Sequence, residues 1–550
     1  MKMKSSACFS LFFPTVMIFT LFLYSSFSLR AASAHNHDDF LQCLSHQLSN
    51  STSFAKLIYT PKDTSYISVL NSTIQNPRFS SPSTPKPLVI VTPLDASQVQ
   101  ATVKCSRKHG LQIRTRSGGH DIEGLSYISQ IPFVILDLRN LSSISVNVDE
   151  ETAWVESGAT LGELYYRISE KSGNLGFPAG VCHTVGIGGH LSGGGYGTLM
   201  RKYGLAADNV IDARLVNVDG RILDRKSMGE DLFWAIRGGG AASFGVVLSW
   251  KIKLVHVPSI VTTFKVDRNL EKNETKKLAD RWQHVAHTFD EDLLISLRFQ
   301  TANSSSNNKV TLQASFYGVF LGGVDRLLPL MKKSFPELGL VREDCSEMSW
   351  IESVMTLAGI ISSEESPEAL LDKKPRLMGF SPFKMKSDYV KEPIPENMLE
   401  KMWERLYDEE VGMAYIHFFP YGGRMNEISE SEIPFPHRAG NLFHIVYFVS
   451  WEGRNARASK QHLSWITRVY RYMTPYVSKN PRAAYFNYRD LQIGTNRKKG
   501  TTSYAQASIW GTKYFDNNFK RLVHVKTVVD PTNFFTNEQG IPPLRSKPVG

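Results

Sequence analysis

The chain has 550 residues, 42% of them hydrophobic and 21% charged, and its formal charge of +11 corresponds to a pI of about 9.2. A length of roughly 150 residues per domain predicts about three or four structural units, and the globular composition excludes a disordered chain. The basic residues are spread along the sequence rather than clustered, so we expect no nucleic-acid partner. The net positive charge instead favours weak attraction to anionic polymers.

The first 34 residues have the pattern of a secretory signal peptide. Two lysines precede an apolar run over 8–29, and Ala32-Ser33-Ala34 supplies a small-residue cleavage site. The run is long enough for a membrane anchor, but Pro14 and several serines interrupt it, so cleavage is favoured and the mature chain is expected to have no membrane association. Five Asn-x-Ser/Thr sequons fit a secretory protein and predict glycosylation. They are Asn50, Asn71, Asn140, Asn273 and Asn303.

A helical N-terminal segment is predicted over 35–82, and an α/β region follows over 83–257. Apolar runs predict the strands of this region, and helical spacing of apolar residues that ends at Gly110 predicts a helix. The strands are expected over 87–91, 111–116, 133–138, 152–156, 212–218 and 250–255, and the helix over 95–110. Two small α/β lobes with a ligand between them account for this pattern.

The pattern changes over residues 258–479. Amphipathic helices over 270–287 and 325–335 alternate with strands over 293–299 and 310–316. Strands separated by long helices favour an antiparallel sheet covered by helices on one face. The other face of such a sheet is free to form the roof of a binding site.

Two glycine-rich loops carry the most specific signals in the chain. The loop over 114–121 contains His120, and the loop over 180–190 contains Cys182. Glycine lets a backbone take positive φ and approach an anionic ligand, so the turn over 116–119 can offer successive N–H groups to a pyrophosphate. One imidazole and one thiol in such loops suit the covalent attachment of a flavin at two points.

Both loops closely resemble the berberine bridge enzyme-like family of plant FAD-linked oxidoreductases, and the resemblance covers nearly the whole mature chain. Shared stretches over 223–234 and 433–440 are most similar to the cannabinoid-type oxidocyclases. The resemblance implies an α+β fold: a two-lobed, vanillyl-alcohol-oxidase-like FAD-binding domain over 83–257 and a substrate domain of antiparallel sheet covered by helices over 258–479. The segment over 480–550 is expected to return to the FAD-binding domain.

The resemblance further implies that FAD is bonded covalently to both His120 and Cys182. In the family, the position of Val185 borders the space where oxygen reacts, and a valine there accompanies oxidases. No metal is expected. The remaining residues expected at the cofactor are Arg116, Ser117, Gly118, Gly119, Ser126, Gly186, Gly189, Tyr196, Val247, Tyr485 and Asn487.

The chain has five cysteines, of which Cys8 leaves with the signal peptide and Cys182 is assigned to the flavin. The family pattern implies a disulfide between Cys43 and Cys105. Cys345 is then expected to be buried and free. The alternative is that these three cysteines are all unpaired.

Three residues are expected to act on the substrate. Tyr488 matches the catalytic base of the oxidocyclases, although a phenol needs nearby cations or hydrogen bonds for that role and could instead only pack against the flavin. Arg298 replaces their substrate-binding histidine and could clamp a carboxylate or phenolate, or be a surface charge. His444 replaces their glutamate and could be an acid, a base, a hydrogen-bond donor or a structural histidine.

We therefore expect a secreted oxidase that is apoplastic or vacuolar. It is expected to transfer hydride from a phenolic, prenylated or alkaloid-type substrate to the flavin, often with formation of a ring or a diene. The reduced flavin is then expected to reduce O2 to H2O2. Ile122, Phe419 and Val446 stand where relatives place polar side chains, so cannabinoid precursors are not the expected substrate. These residues favour a first alternative, an FAD-containing pericyclase (Diels-Alderase-like) without net redox; a carbohydrate oxidase is the second. The expected partners are a small-molecule substrate and O2, and the expected state is a monomer.

Overall fold

The computed structural model describes residues 37–48, 54–303, 310–360, 365–374, 381–408, 413–453, 456–497 and 500–544. The predicted signal peptide and the sequon at Asn50 lie outside the described residues. Two lobes and a larger antiparallel sheet make up the described chain.

The first lobe contains a mainly parallel sheet. Its elements are α1 (37–47), β1 (Ile58–Tyr59), α2 (Tyr66–Asn71), β2 (Val89–Val91), α3 (Ala96–Lys108), β3 (Gln112–Arg116) and β4 (Phe133–Asp137). The strand order is β1-β2-β4-β3, and only β1 is antiparallel to its neighbour. All residues of β2 and β4 are buried, as is usual for parallel strands that are covered on both faces.

The second lobe contains an antiparallel sheet in the order β5-β6-β10-β8-β9, with β7 and β11 as a separate pair. Its strands are β5 (Ile144–Asn147), β6 (Thr152–Glu156), β7 (Leu175–Gly176), β8 (Val210–Val216), β9 (Ile222–Leu223), β10 (Val246–Lys253) and β11 (Val255–His256). Its helices are α4 (Leu161–Ser169), α5 (Ile187–Ser192), α6 (Met200–Tyr203) and α7 (Arg225–Ile236). A capping box between Thr160 and Glu163 starts α4.

The third sheet has seven antiparallel strands in the order β15-β12-β14-β13-β17-β18-β16. These are β12 (Val261–Asn269), β13 (Leu293–Asn303), β14 (Val310–Phe320), β15 (Cys345–Met348), β16 (Phe383–Val390), β17 (Met413–Pro420) and β18 (Phe443–Ser450). The helices of this region are α8 (Asn273–Val285), α9 (Val324–Ser334), α10 (Trp350–Leu357), α11 (Glu396–Trp403), α12 (Arg424–Glu427) and α13 (Ala456–Tyr472). Two more, α14 (Tyr504–Phe515) and α15 (Asn518–Val529), follow in the last segment.

Alternation along the strands separates the two faces of this sheet. In β17, Ile416 and Phe418 join a core that also contains Trp282 of α8 and Trp465 of α13. The side chains between them point to the other face, which lines a cavity described below. The prediction of an antiparallel sheet with helices on one face is confirmed, and the other face lines a cavity.

The C-terminal helices pack on the second lobe rather than on the third sheet. Trp510 and Phe519 share a buried core with Phe233 and Trp250. The segment between the sheet and α14 therefore crosses the cavity on its way back to this lobe, which positions residues 485–489 at the site.

Several predicted elements differ from the structure at their ends. The strands predicted over 293–299 and 310–316 each extend further, to residues 303 and 320, because they pair with each other along their whole length. The helix predicted from residue 270 begins at Asn273, because the Leu270 N–H donates to the Leu312 carbonyl and stays with the sheet. Pairing and packing, rather than local periodicity, set these ends.

The predicted disulfide between Cys43 and Cys105 is present and joins α1 to α3. Cys345 has no disulfide partner among the described residues, as predicted, but it is half-buried rather than buried. The reason is its position at the start of β15, an edge strand of the third sheet. Asn71, Asn140 and Asn273 are exposed and Asn303 ends β13, while glycosylation itself remains a prediction.

Candidate active site

A cavity of about 920 Å³ lies where the two lobes meet the third sheet. Its walls include the glycine loops over 114–121 and 180–190, the face of the sheet opposite α8 and α13, and the segment over 485–489. The cavity therefore collects residues that are hundreds of positions apart in the sequence.

The two glycine loops touch each other directly. A Cβ on Gly118 would lie 2.4 Å from the backbone nitrogen of Gly186, and a Cβ on Gly186 would lie 2.2 Å from that of Gly118. Gly119 has φ +73°, and a Cβ there would lie 1.7 Å from the Thr73 carbonyl oxygen. Larger residues at these positions would push the loops apart. The glycines thus bring His120 and Cys182 to the same end of the cavity.

His120 and Cys182 both contact the hydroxyl of Thr184. The distance from His120 Nε2 to Thr184 Oγ1 is 2.9 Å, and the distance from Cys182 Sγ to the same oxygen is 3.6 Å. Burial lowers the pKa of His120 to about 4, so its imidazole is neutral at pH 7. Burial also raises the pKa of the Cys182 thiol, and the hydrogen bond with Thr184 opposes that shift.

Three tyrosines whose rings contact one another also line the cavity. The hydroxyls of Tyr196 and Tyr488 are hydrogen-bonded to each other. The hydroxyl of Tyr485 accepts from the Gly195 N–H at 3.0 Å and from Asn487 Nδ2 at 2.9 Å. Burial raises the pKa of Tyr488; the hydrogen bond with Tyr196 lowers it in part, whereas the same bond further raises the pKa of Tyr196.

Arg298 lies on the cavity face of β13. Its guanidinium carbon is 4.9 Å from the ring centroid of Tyr317 and 4.6 Å from that of Tyr415, which are cation–π distances. Its Nη2 is 3.5 Å from His417 Nδ1, while its Nε is buried without a partner. Among the described residues no carboxylate forms an ion pair with it.

His417 was not predicted, yet it lines the cavity beside Arg298. Its Nε2 is 2.9 Å from Ser296 Oγ, and burial together with the nearby Arg298 charge holds its pKa well below the usual value. Arg298 and His417 are direct partners across β13 and β17. The alternation of polar and apolar residues along β17 places His417 on the face opposite the core and could have identified it.

The sequence is similar to known proteins over most of its length. Residues 87–225 match the family described as FAD binding domain, and residues 484–542 match the family described as Berberine and berberine like. Cannabidiolic acid synthase-like 1 of Cannabis sativa is 55% identical over 531 residues, which cover 95% of this chain and 96% of that relative. Tetrahydroberberine oxidase of Berberis wilsoniae is 56% identical over 516 residues, 94% of this chain and 96% of the relative. The chain belongs to the berberine bridge enzyme-like family.

A solved structure has the same fold as this chain. The crystal structure of Phl p 4, a grass pollen allergen with glucose dehydrogenase activity, superposes with a TM-score of 0.86 at 43% identity and covers 92% of this chain and 100% of that chain. The predicted α+β fold is confirmed, and the protein is an FAD-linked oxidoreductase. The identities to the two plant relatives are nearly equal, so identity alone does not choose between the reactions in their names.

The cavity of this berberine bridge enzyme-like protein fits FAD. Gly189 lines the cavity with open space where a Cβ would be, so a ligand can reach its backbone. Ser126 Oγ also lines the cavity and is buried without a partner. Buried polar atoms without partners are uncommon, and a bound polar ligand is one explanation. The other predicted cofactor residues in the lining are Ser117, Gly118, Gly119, His120, Cys182, Val185, Gly186, Tyr196, Val247, Tyr485 and Asn487.

Arg116 is placed differently from the other predicted cofactor residues. It does not line the cavity, because its fully buried guanidinium binds the carboxylate of Asp137 and the carbonyls of Val69 and Leu70. Its side chain therefore supports the base of the first glycine loop, and only its backbone can face a ligand.

His444 also lies outside the lining. It stacks on Phe419 at 5.1 Å and contacts Tyr196 at 4.6 Å between ring centroids, and neither ring nitrogen has a hydrogen-bond partner. Burial lowers its pKa to about 3. The position is one layer behind the cavity wall, so any influence on a substrate passes through Tyr196 or Phe419.

The described residues form neither a metal centre nor a membrane span. Within the described ranges, no group of three or more His, Cys, Asp or Glu side chains is placed to hold a metal ion. In the same residues, no helix has the length and apolar character needed to cross a membrane.

Proposed function

We propose that this protein is a secreted oxidase that holds FAD through His120 and Cys182 and oxidises a phenolic, prenylated or alkaloid-type plant metabolite, with O2 as the electron acceptor. The observation that carries the proposal is the hydrogen-bonded pair of Tyr196 and Tyr488, which faces the cavity that also contains both nucleophiles. FAD, when bound, supplies an acceptor for hydride from a substrate carbon. The residues of the chain orient the substrate and move its proton.

Tyr488 is the proposed proton acceptor for a substrate hydroxyl. When Tyr488 is ionised, the Tyr196 hydroxyl can donate its hydrogen to the phenolate, which lowers the pKa of Tyr488 against the burial that raises it. Burial still raises both pKa values, so Tyr488 is mostly a neutral phenol at pH 7. The reacting fraction, and with it the rate, is expected to increase with pH.

Arg298 is the proposed anchor for an anionic substrate oxygen. The rings of Tyr317 and Tyr415 hold the guanidinium, and its buried Nε has no partner. A planar fork of donors binds a carboxylate or phenolate through two hydrogen bonds. Such a contact would fix the substrate under the sheet and direct its hydroxyl to Tyr488.

Two alternatives have a specific observation in their favour. Ile122, Val446 and Met385 form an apolar cluster that reaches the cavity, as suits a pericyclase that only orients its substrate. The glucose dehydrogenase activity of Phl p 4 favours a carbohydrate oxidase. The apolar cluster leaves few partners for sugar hydroxyls, which makes the second alternative the weaker one.

An anaerobic experiment separates these functions. The purified protein is mixed without O2 with a panel of phenolic acids, prenylated phenols, benzylisoquinoline alkaloids and glucose, and flavin bleaching and products are followed together. Bleaching by a phenolic or alkaloid compound is expected. Bleaching by glucose alone would favour the carbohydrate oxidase, and product formation without bleaching would favour the pericyclase.

The two covalent bonds have a separate test. After acid precipitation the yellow colour is expected to remain with the protein. His120→Ala and Cys182→Ala are each expected to retain it through the other residue, and the double variant is expected to release FAD. All of the flavin in the supernatant of the wild-type protein would overturn the assignment of both residues.

A further inference from the structure

Thr184 connects the two residues that are proposed to bond to FAD. Its hydroxyl oxygen lies 2.9 Å from His120 Nε2 and 3.6 Å from Cys182 Sγ. The residue is 2% exposed, so little water is available to replace its hydroxyl. It lies two positions after Cys182 in the second glycine loop, while His120 reaches it from the first loop.

The proton inventory of these three groups favours one direction for the hydrogen bonds. A neutral imidazole has one N–H and one lone pair, and a hydroxyl has a single hydrogen to donate. If His120 Nε2–H donates to Thr184, the hydroxyl hydrogen is free to donate to the Cys182 sulfur, and Nδ1 keeps a lone pair. If Thr184 instead donates to Nε2, the sulfur loses the hydroxyl as a donor and keeps only the backbone of Thr184 and Val185, and the imidazole proton moves to Nδ1.

Only the first arrangement makes both side chains nucleophilic. A nitrogen attacks with a lone pair, and a sulfur attacks as the thiolate. A hydrogen bond from a hydroxyl stabilises a thiolate against the burial that otherwise raises the pKa of Cys182. The hydroxyl also keeps the ring of His120 oriented toward the end of the cavity that holds the sulfur.

We propose that Thr184 is a positioning residue for the attachment of FAD: through one hydroxyl it fixes the reactive tautomer of His120 and supports the thiolate of Cys182. The inference rests on the proposed bicovalent cofactor. Each attachment replaces one hydrogen on a cofactor carbon and one hydrogen on the side chain by a new bond. The two electrons and two protons that are released reduce O2 to H2O2. Thr184 is not consumed.

The test measures attachment rather than turnover. Thr184→Val keeps the shape of the side chain and removes the hydroxyl, whereas Thr184→Ser keeps the hydroxyl. Thr198→Val is the matched control, because Thr198 also lines the cavity but is bonded to neither nucleophile. The variants are produced with little riboflavin and then incubated with FAD in air. Mass spectrometry of the peptides that contain His120 and Cys182 gives the modified fraction of each with time.

We expect Thr184→Val to slow modification of both peptides at least tenfold, with Thr184→Ser and Thr198→Val close to the wild type. Equal rates in Thr184→Val and the wild type would overturn the inference. If Thr184→Val does not fold, Thr184→Ala replaces it, and failure of both to fold would show a structural role and also overturn it. An absence of covalent flavin in the wild type would instead refute the bicovalent cofactor itself, so the two failures are distinguishable.

Discussion

The hydrogen bond between Tyr196 and Tyr488 lets one phenol stabilise the phenolate of the other. It lowers the pKa of Tyr488, while burial raises the pKa values of both tyrosines. The proposed base therefore has a hydrogen-bond donor beside it when it is ionised. Of the two kinds of help expected for this base, nearby cations or hydrogen bonds, the structure supplies a hydrogen bond from a second phenol.

Tyr196→Phe removes the donor to Tyr488, so the pKa of Tyr488 should rise further. A hydrogen bond to a charged group contributes about 1.5–3 kcal/mol, so flavin bleaching at pH 7 should slow by roughly 10–100-fold, and the rise of the rate with pH should move to higher pH. Tyr488→Phe should abolish the increase of the bleaching rate with pH. Stopped-flow measurements over a pH series test both, with Tyr389→Phe as a buried control outside the cavity lining. A Tyr488→Phe protein with the wild-type pH profile would refute the assignment.

Val185 is expected to control how fast O2 reacts in the cavity. It lines the cavity three residues after Cys182 and packs against the core of the second lobe. Val185→Leu adds one methylene to closely packed surroundings, which should fill space that O2 needs. Reoxidation of the substrate-reduced enzyme by air should become much slower while anaerobic bleaching is nearly unchanged. Stopped-flow traces measure the two half-reactions separately, and equal reoxidation rates would contradict a role of Val185 in access of oxygen.

Strand β16 is attached to both reactive parts of the site by buried ion pairs. Lys384 binds the carboxylates of Glu123 and Asp490, and Lys386 binds Asp490 at 2.5 Å. All four side chains are at most 4% exposed. Glu123 follows His120 by three residues and Asp490 follows Tyr488 by two, so this cluster joins β16 both to the first glycine loop and to the segment that carries Tyr488.

Asp490→Asn leaves two buried lysines with one carboxylate. Removing one partner of a buried ion pair typically costs about 3–5 kcal/mol, so the free energy of unfolding should fall by about that amount. Asp231→Asn is the matched control, because Asp231 pairs with Arg521 on the surface and its loss should change stability by less than about 1 kcal/mol. Urea titrations of the wild type, Asp490→Asn and Asp231→Asn measure the three free energies of unfolding. Equal effects of the two substitutions would show that the buried cluster is not a stabilising element.

Periodicity predicted two strands and two helices of this region, but neither β16 nor the cluster. Lys384 and Lys386 stand in a strand whose every residue is buried, and nothing in the local sequence shows which acids reach them. Glu123 and Asp490 come from loops that are 261 and 106 residues away from Lys384 in the sequence. Only the order of the strands in the sheet, with β16 at an edge beside both loops, brings these charges together.

Buried histidines link the stability of the whole molecule to pH. Burial lowers the pKa of His190 to about 4 and the pKa values of His437 and His444 to about 3. In the unfolded chain these groups bind a proton near pH 6.5, so between that pH and the folded-state values the unfolded state binds more protons. The free energy of unfolding is therefore highest, as far as these histidines determine it, above about pH 6.5, and it decreases as the pH falls from 6.5 toward the folded-state pKa values.

His444→Leu removes one of these groups without removing a hydrogen bond, since neither of its ring nitrogens is bonded. The loss of unfolding free energy per pH unit below pH 6 should become smaller by about 1.4 kcal/mol, the value for one proton. Urea titrations at pH 7, 6 and 5 test this, with the exposed His524→Gln as control. An unchanged pH slope in His444→Leu would contradict the neutral state of His444 in the folded protein.

The sequence by itself determined the family, the cofactor class, the disulfide and the alternation of strands and helices. These features depend on residues that are close in the chain, such as the two glycine loops, or on a resemblance that extends along nearly all of it. The tertiary structure decided what surrounds each reactive group. It placed His417 and two tyrosine rings around Arg298, put Thr184 between His120 and Cys182, and moved His444 behind the cavity wall. Most of these contacts join residues that are far apart in the sequence, and strand order, register and burial decide which of them meet.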